Sequence, residues 1–546
     1  MREWRINLIL IFLFLFGAAL VGKLFFLQII EHNFYAALSK GQQGAFASGQ
    51  GERGEIFFQN HDFPVATNKT VYYLYASPAE IPFGKKEEIA ENLAEITTLE
   101  KDFLLERIME NSLYEVLKEQ LSAEEVERLK ELKREGIYLG REIRRSYPYD
   151  EFASHILGFV NKDGHGQYGL EEYWEENLRG KEGLVKGSDL FLTVDYNIQY
   201  QAEKLLEDAR KKLDIDGGTI VVMRPNSGQI LALANFPRFN PNLYSREQDF
   251  NVFQLDAIQK IFEPGSVFKP ITMAGALNEG KITPQTTYYD KGYVEIEGWS
   301  EPLYNYDKRV YGKTTMTNVL EKSINTGAVF AEKQLGHRNF LKYIEEFGFF
   351  EKTGIDLAGE IYSQNLEFKK GYEINFATAA YGQGIEMTPL QVVRAFAAIA
   401  NGGKLVRPYL VEKVVDNEGA VVETKPEIGD NNVISPATAS KLTAMLVSVV
   451  ENGFGKAARV PGYYVAGKTG TAQVSFSALG MNKKGYSEKT WQSFIGFAPA
   501  FDPRFLILVK LDDPATKTAE YSAVPIFREL AKYIIDYYQI PPDYNE

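Results

Sequence analysis

Cysteine is absent from the 546 residues. That excludes disulfides, thiolate metal sites and a cysteine nucleophile, and it is compatible with an oxidising compartment. Histidine is scarce: His32, His61, His155, His165 and His337 are all there are. No two of them form the H-E-x-x-H zinc pattern, and the ordinary reading of each is a packing or surface residue. Positive charge is in deficit, with 60 Lys and Arg against 73 Asp and Glu and a formal net charge of −13. A nucleic-acid partner needs the opposite balance, so none is expected. Internal repeats of 20–50 residues and low-complexity segments are also missing. What is there is 45% hydrophobic and 24% charged. Such a chain is globular and too long for one core, so two to four domains are expected.

One long apolar run does occur, at the N-terminus. It extends from Leu8 to Gly22, is interrupted by Lys23 and resumes from Leu24 to Ile30. A membrane span needs about 20 residues, which Ile6–Gly22 nearly supplies, and Lys23 can snorkel to the interface. Arg2 and Arg5 precede the run and place the N-terminus in the cytoplasm. The competing reading is a signal peptide cleaved at Gly17-Ala18-Ala19. The apolar pattern through Leu24-Phe25-Phe26-Leu27 favours an uncleaved anchor. The expected layout is a cytoplasmic tail over 1–7, a transmembrane anchor and exit helix over 8–30, a non-catalytic module over 31–185 and a larger domain over 186–546.

In the second segment, Arg53–Phe57 and Val71–Tyr75 read as short strands. Ser122-Ala123-Glu124-Glu125 is a capping box that opens a charged helix to about Lys133. Gly180-Lys181-Glu182-Gly183, followed by Gly187-Ser188-Asp189, reads as a linker. The last segment has another texture. Thr219–Met223 and Gln229–Ala234 are strands around a turn at Asn226-Ser227-Gly228. A helix-rich stretch runs from about 253 to 400. Three more strands are expected at Tyr463–Val474, Gln492–Ala498 and Phe505–Leu511, and a last helix at about Ala523–Tyr538. Two strands, a block of helices, three strands and a helix predict an α+β domain with an antiparallel sheet between helical layers.

Within this domain Ser266-Val267-Phe268-Lys269 follows Pro264-Gly265. On a helix, positions three apart share a face, so the amine can reach the hydroxyl. A serine needs an adjacent base to act as a nucleophile, and Lys269 is the only base within local reach. The pattern alone is weak. Two further motifs lie downstream: Ser323-Ile324-Asn325, and Lys468-Thr469-Gly470-Thr471 on an expected strand. Each by itself is more often chance, a helix cap, a surface turn or an exposed strand end than a site.

Together, in this order, the three resemble the penicillin-binding proteins. Longer phrases resemble the monofunctional class B members: Phe262-Glu263-Pro264-Gly265-Ser266, Val465–Gln473, Tyr381-Gly382-Gln383-Gly384 and Met387-Thr388-Pro389-Leu390-Gln391. Nearer the N-terminus, Arg53-Gly54-Glu55-Ile56, Ser154–Phe159 and Gly169-Leu170-Glu171 resemble that family's pedestal module, where structural roles are expected for Arg53 and Glu171. The resemblance implies a membrane-anchored, dimerisation-like pedestal and a penicillin-recognising serine-enzyme domain with a five-stranded antiparallel sheet. It implies a peptidoglycan D,D-transpeptidase that acts on stem peptides and is acylated by β-lactams, without metal or cofactor. The division type is slightly favoured over the elongation type. Expected partners are a membrane glycan polymerase and division or elongation proteins.

The residues can be given physical roles on that footing. Ser266 is the expected nucleophile. Lys468 is a second cation that can keep Lys269 neutral by repulsion and burial. Ser323 can pass a proton, and Asn325 can hold the substrate amide. Gly470 leaves room for a substrate strand along the backbone, and Thr469 and Thr471 offer hydroxyls to a carboxylate. By resemblance, the N–H groups of Ser266 and Thr471 form the oxyanion hole. Other readings stay open: a D,D-carboxypeptidase or β-lactam-hydrolysing enzyme on the same fold, or a β-lactam-sensing or scaffold protein of the wall machinery.

Overall fold

The computed structural model describes residues 3–25, 51–60, 62–180 and 185–544. The exit of the expected anchor after Phe25, His32, His61 and Lys181–Gly183 of the expected linker lie outside the described residues. By compactness the chain forms two units. One holds residues 1–53, 67–146 and 179–187, and the other 54–66, 147–178 and 188–546. The larger unit thus includes two stretches from the segment expected to be separate.

The larger unit is built on five antiparallel strands: β1 (Gly217–Met223), β2 (Ile230–Phe236), β3 (Ala466–Ser475), β4 (Tyr486–Ala498) and β5 (Phe505–Asp512). Their spatial order is β3-β4-β5-β1-β2, which matches the expected sheet. Every residue of β1 is buried. Alternate residues point to opposite faces of a strand, so a strand covered on both sides reads as a continuous apolar run. Ile220, Val222, Ile507 and Val509 pack on helices α1 (Tyr196–Leu213) and α4 (Ala523–Tyr537). Val221, Leu233, Ile495 and Leu508 face the opposite core. That core holds α2 (Lys269–Asn278) and the helix Pro389–Ala400. The helix α3 (Asn325–Leu335) packs beside α2.

The stretch between α2 and α3 is less helical than its sequence suggests. Thr287–Asp290 pairs with Gly312–Thr315, and Tyr293–Val294 pairs with Leu303–Tyr304. The motifs around His155 and Gly169 meet through a short ladder of Phe159–Val160 with Gly166–Gln167. Glu171 there is fully buried and accepts from the Tyr147 hydroxyl at 3.4 Å. His155 is buried, 2.9 Å from the carbonyl of Val252, and burial pulls its pKa down to about 4. It is a neutral packing residue, as its sequence context suggested.

In the smaller unit, residues 67–76 pair antiparallel with Ile137–Ser146. Glu115–Lys118 pairs with the same strand. Helices Lys86–Thr97, Lys101–Met109 and Ala123–Leu132 close over Leu74, Leu93, Leu104 and Leu129. The capping box forms as read: Glu125 N donates to Ser122 Oγ at 3.2 Å, and Ser122 N donates to the Glu125 carboxylate at 2.8 Å. Arg53 is buried at 8% exposure, and its carbonyl accepts from Asn68 Nδ2. The N-terminal helix covers Glu3–Phe25. Among the described residues, no helix is long and apolar enough to cross a membrane.

Candidate active site

Ser266 does not sit on an α-helix. It lies in a 3-10 turn, Gly265–Phe268, that runs directly into α2. In a 3-10 turn residues three apart eclipse one another. The Ser-x-x-Lys spacing is therefore closer than an α-helix would make it: Lys269 Nζ is 2.8 Å from Ser266 Oγ.

Ser323 stands in the turn between helix Met316–Glu321 and α3, with φ of +53°. A non-glycine residue in this left-handed region stores roughly 1–3 kcal/mol of strain. The turn brings the Ser323 carbonyl within 2.7 Å of Lys269 Nζ. It places the Ser323 hydroxyl 3.2 Å from Lys269 Nζ and 3.0 Å from Lys468 Nζ. Asn325 opens α3, and its Oδ1 accepts from Lys269 at 2.8 Å. Its Nδ2 donates to the carbonyl of Tyr304 at 3.1 Å, which leaves a second N–H for a ligand.

Lys468 comes from β3. Its amine also meets the carbonyl and hydroxyl of Thr469, at 3.0 and 3.2 Å. The Thr471 hydroxyl accepts from Ala519 N at 3.2 Å. Both threonine hydroxyls therefore accept one bond inside the protein and keep a hydrogen to donate. β3 is an edge strand of its sheet, so a row of its backbone groups faces away from β4 and can take an added strand.

Gly470 departs from its expected role. A Cβ built there would lie 2.4 Å from Ser493 Oγ, 2.9 Å from Val267 Cγ1 and 3.1 Å from the Pro264 carbonyl. The missing side chain makes room for the turn that carries Ser266, on the buried face of the strand. Gly382 has a matching task. It has φ of +82°, its carbonyl accepts from Gly265 N at 2.9 Å, and a Cβ would meet the Gly265 carbonyl at 2.1 Å. The Tyr381-Gly382-Gln383-Gly384 phrase thus backs the turn that carries Ser266.

Lys269 and Lys468 are both fully buried. Their hydrogen-bond partners are hydroxyl and carbonyl oxygens, none of them a carboxylate. Burial holds Lys269 well below the ordinary lysine value, and the Lys468 cation lowers it further. Burial brings Lys468 down to about 7. Repulsion between the lysines is therefore the smaller cause, and desolvation the larger. A neutral Lys269 at 2.8 Å is placed to take a proton from Ser266.

Sequence reasoning missed Glu263 and Tyr486. The Glu263 carboxylate is 7% exposed and accepts from the Tyr486 hydroxyl at 2.9 Å. Burial lifts its pKa to about 7. Its place three residues before Ser266 was a visible signal, but its partner comes from β4, more than 200 residues away. No described histidine joins the cluster.

Comparison with known proteins identifies the family. The family described as the penicillin-binding protein transpeptidase domain matches residues 218–532, and the penicillin-binding protein dimerisation domain matches 48–188. The chain belongs to the penicillin-binding protein transpeptidase family, and its relatives are of the class B type that its motifs resemble. Stage V sporulation protein D of Bacillus subtilis is 33% identical over 92% of this chain and 81% of its own. The peptidoglycan D,D-transpeptidase FtsI homolog of Mesostigma viride is 28% identical over 98% and 96%. Penicillin-binding protein 3 of Mycobacterium tuberculosis, complexed with aztreonam, superposes with a TM-score of 0.70 at 26% identity, over 91% of this chain and 98% of that one. Penicillin-binding protein 2X of Streptococcus thermophilus shares the fold, with a TM-score of 0.74 at 22% identity, over 89% and 79%.

Proposed function

We propose that this protein is a peptidoglycan D,D-transpeptidase working through an acyl-enzyme on Ser266. The observation that carries this is the unbroken chain of contacts Ser266 Oγ–Lys269 Nζ–Ser323 Oγ–Lys468 Nζ, each link between 2.8 and 3.2 Å. Ser266 Oγ attacks the carbonyl between the two terminal D-alanines of a stem peptide, and neutral Lys269 takes its proton. The backbone N–H groups of Ser266 and Thr471 stabilise the oxyanion, a contribution worth roughly 10²–10³ in rate per donor. Ser323 relays the proton to the leaving D-alanine, whose carboxylate is held by Lys468, Thr469 and Thr471. Asn325 holds the peptide amide. The amine of a neighbouring stem peptide then attacks the ester and restores Ser266. β-Lactams acylate the same serine, in keeping with the aztreonam named for the mycobacterial structure.

The layout supports a surface role. Residues 1–7 are a cytoplasmic tail and 8–30 the anchor. Residues 31–185 form the pedestal and 186–546 the catalytic domain, a division supported by the ranges of the two family matches. The anchor reading rests on the sequence, on the apolar run from Leu8 to Gly22 with Arg2 and Arg5 before it, and not on a membrane-spanning helix among the described residues. The catalytic domain then faces outward from the cytoplasmic membrane, where a membrane glycan polymerase and division or elongation proteins would supply and use its strands.

The reaction is tested with a stem-peptide donor and an amine acceptor, followed by product analysis. Cross-linked product is expected. Release of D-alanine with only hydrolysed donor would assign the chain to carboxypeptidases instead.

A further inference from the structure

A buried carboxylate away from the motifs is joined by hydrogen bonds to the start of α3. Asp290 ends the strand Thr287–Asp290 and is 1% exposed. Its Oδ1 accepts from Gly292 N at 2.9 Å, Asn305 Nδ2 at 3.1 Å and Thr326 Oγ1 at 2.7 Å. Its Oδ2 accepts from Asn305 Nδ2 at 3.0 Å and Tyr311 N at 2.8 Å. Four donor groups therefore converge on one carboxylate, and none of them is a cation. Only an acceptor-only group satisfies them all. An amide of the same shape would turn an N–H toward a donor and leave buried groups unmatched.

The same cluster controls the start of α3. Ile324 precedes that helix and supplies no side-chain cap. Its second N–H, at Thr326, is instead taken by Asn305 Oδ1 at 3.0 Å, so the cap comes from outside the helix. Next to Asn305, the carbonyl of Tyr304 accepts from Asn325 Nδ2 at 3.1 Å. Asn325 Oδ1 in turn accepts from Lys269. Asp290 thus fixes Asn305 and Thr326, and these fix both the backbone and the carboxamide of Asn325.

We infer that Asp290 is a positioning residue for acyl transfer, acting through Asn305, Thr326 and the Tyr304 carbonyl to aim Asn325 at Lys269 and the substrate amide. The inference deepens the transpeptidase reading and rests on it. Its test is the rate of acylation of the full-length protein by a fluorescent penicillin, with thermal unfolding measured alongside. Misplacement of a positioned group by about 1 Å can cost about 10²-fold in rate. Asp290→Asn is expected to acylate between about 10-fold and 100-fold more slowly while still unfolding cooperatively. Thr326→Val removes one hydroxyl from Asp290 at nearly constant shape and should slow acylation in the same direction, and Thr326→Ser should restore it. Trp299→Ala, on the exposed part of the same excursion, should leave the rate unchanged. Wild-type rates in both Asp290→Asn and Thr326→Val would overturn the inference. So would a Thr326→Ser variant as slow as Thr326→Val, or a Trp299→Ala variant as slow as Asp290→Asn. If Asp290→Asn does not fold, the Thr326 pair decides. A folded wild type that takes up no penicillin would defeat the transpeptidase reading instead.

Discussion

At the scale of single residues, the account turns on two buried lysines. A buried amine with no carboxylate partner pays for its charge by losing it, and Lys269 is such an amine. Its neutral form is the active one, so acylation should rise with pH through the lowered pKa and fade below it. Removing the Lys468 cation takes away the smaller of the two depressing effects. In Lys468→Met the Lys269 pKa therefore rises, and the acid limb of the acylation rate moves to higher pH. Acylation by a chromogenic β-lactam across the pH range reads that limb, and an unmoved or lowered limb contradicts the assignment. The spacing of Ser266 and Lys269 and the order of the three motifs were legible in the sequence. The dominance of burial was not, because it depends on everything packed above the amines. The left-handed Ser323 was not legible either, since no local residue type announces it.

At the scale of elements, close approach of backbones organises the site. In Gly470→Ala the new methyl meets Val267, Ser493 and the Pro264 carbonyl. Overpacking of this kind costs roughly 1–3 kcal/mol; the Ser493 hydroxyl is met first, and Val267 and the Pro264 carbonyl belong to the turn that carries Ser266. Denaturant unfolding should show that loss, together with slower acylation; unchanged stability would contradict the packing role. A second element-scale feature is a clasp between α3 and the helix Glu373–Ala379. His337 lies 2.6 Å from Glu332 and 2.7 Å from Glu373; burial lowers its pKa, but the hydrogen bonds and charges of Glu373 and Glu332 together outweigh it, and the pKa is raised. A raised histidine stabilises the fold fully below its unfolded-state value, and that stabilisation is lost as pH rises through the folded value. His337→Gln should therefore lower the melting temperature more under acidic than alkaline conditions, and an equal loss at both would contradict the clasp. The continuous apolar run of β1 and the amphipathic pattern of α4 were legible in advance. The paired strands between α2 and α3 were not. They are two to four residues long, too short to show a period, and Asp290 and Asn305 bond to each other across them.

At the scale of the molecule, an antiparallel sheet between helical layers brings Ser266, Ser323 and Lys468 together across 200 residues of chain. The three motifs made that assembly foreseeable, because Ser266, Ser323 and Lys468 each stand in one of them. Which stretches of the N-terminal half belong to each compact unit was not foreseeable, since strand pairing over long separations leaves little local trace. The central claim is that Ser266 forms an acyl-enzyme. Incubation with benzylpenicillin followed by intact-mass and peptide mapping tests it most directly. The account predicts one covalent adduct on the peptide containing Ser266, and none in Ser266→Ala. An adduct elsewhere, equal labelling of the variant, or no adduct on folded wild type would contradict it.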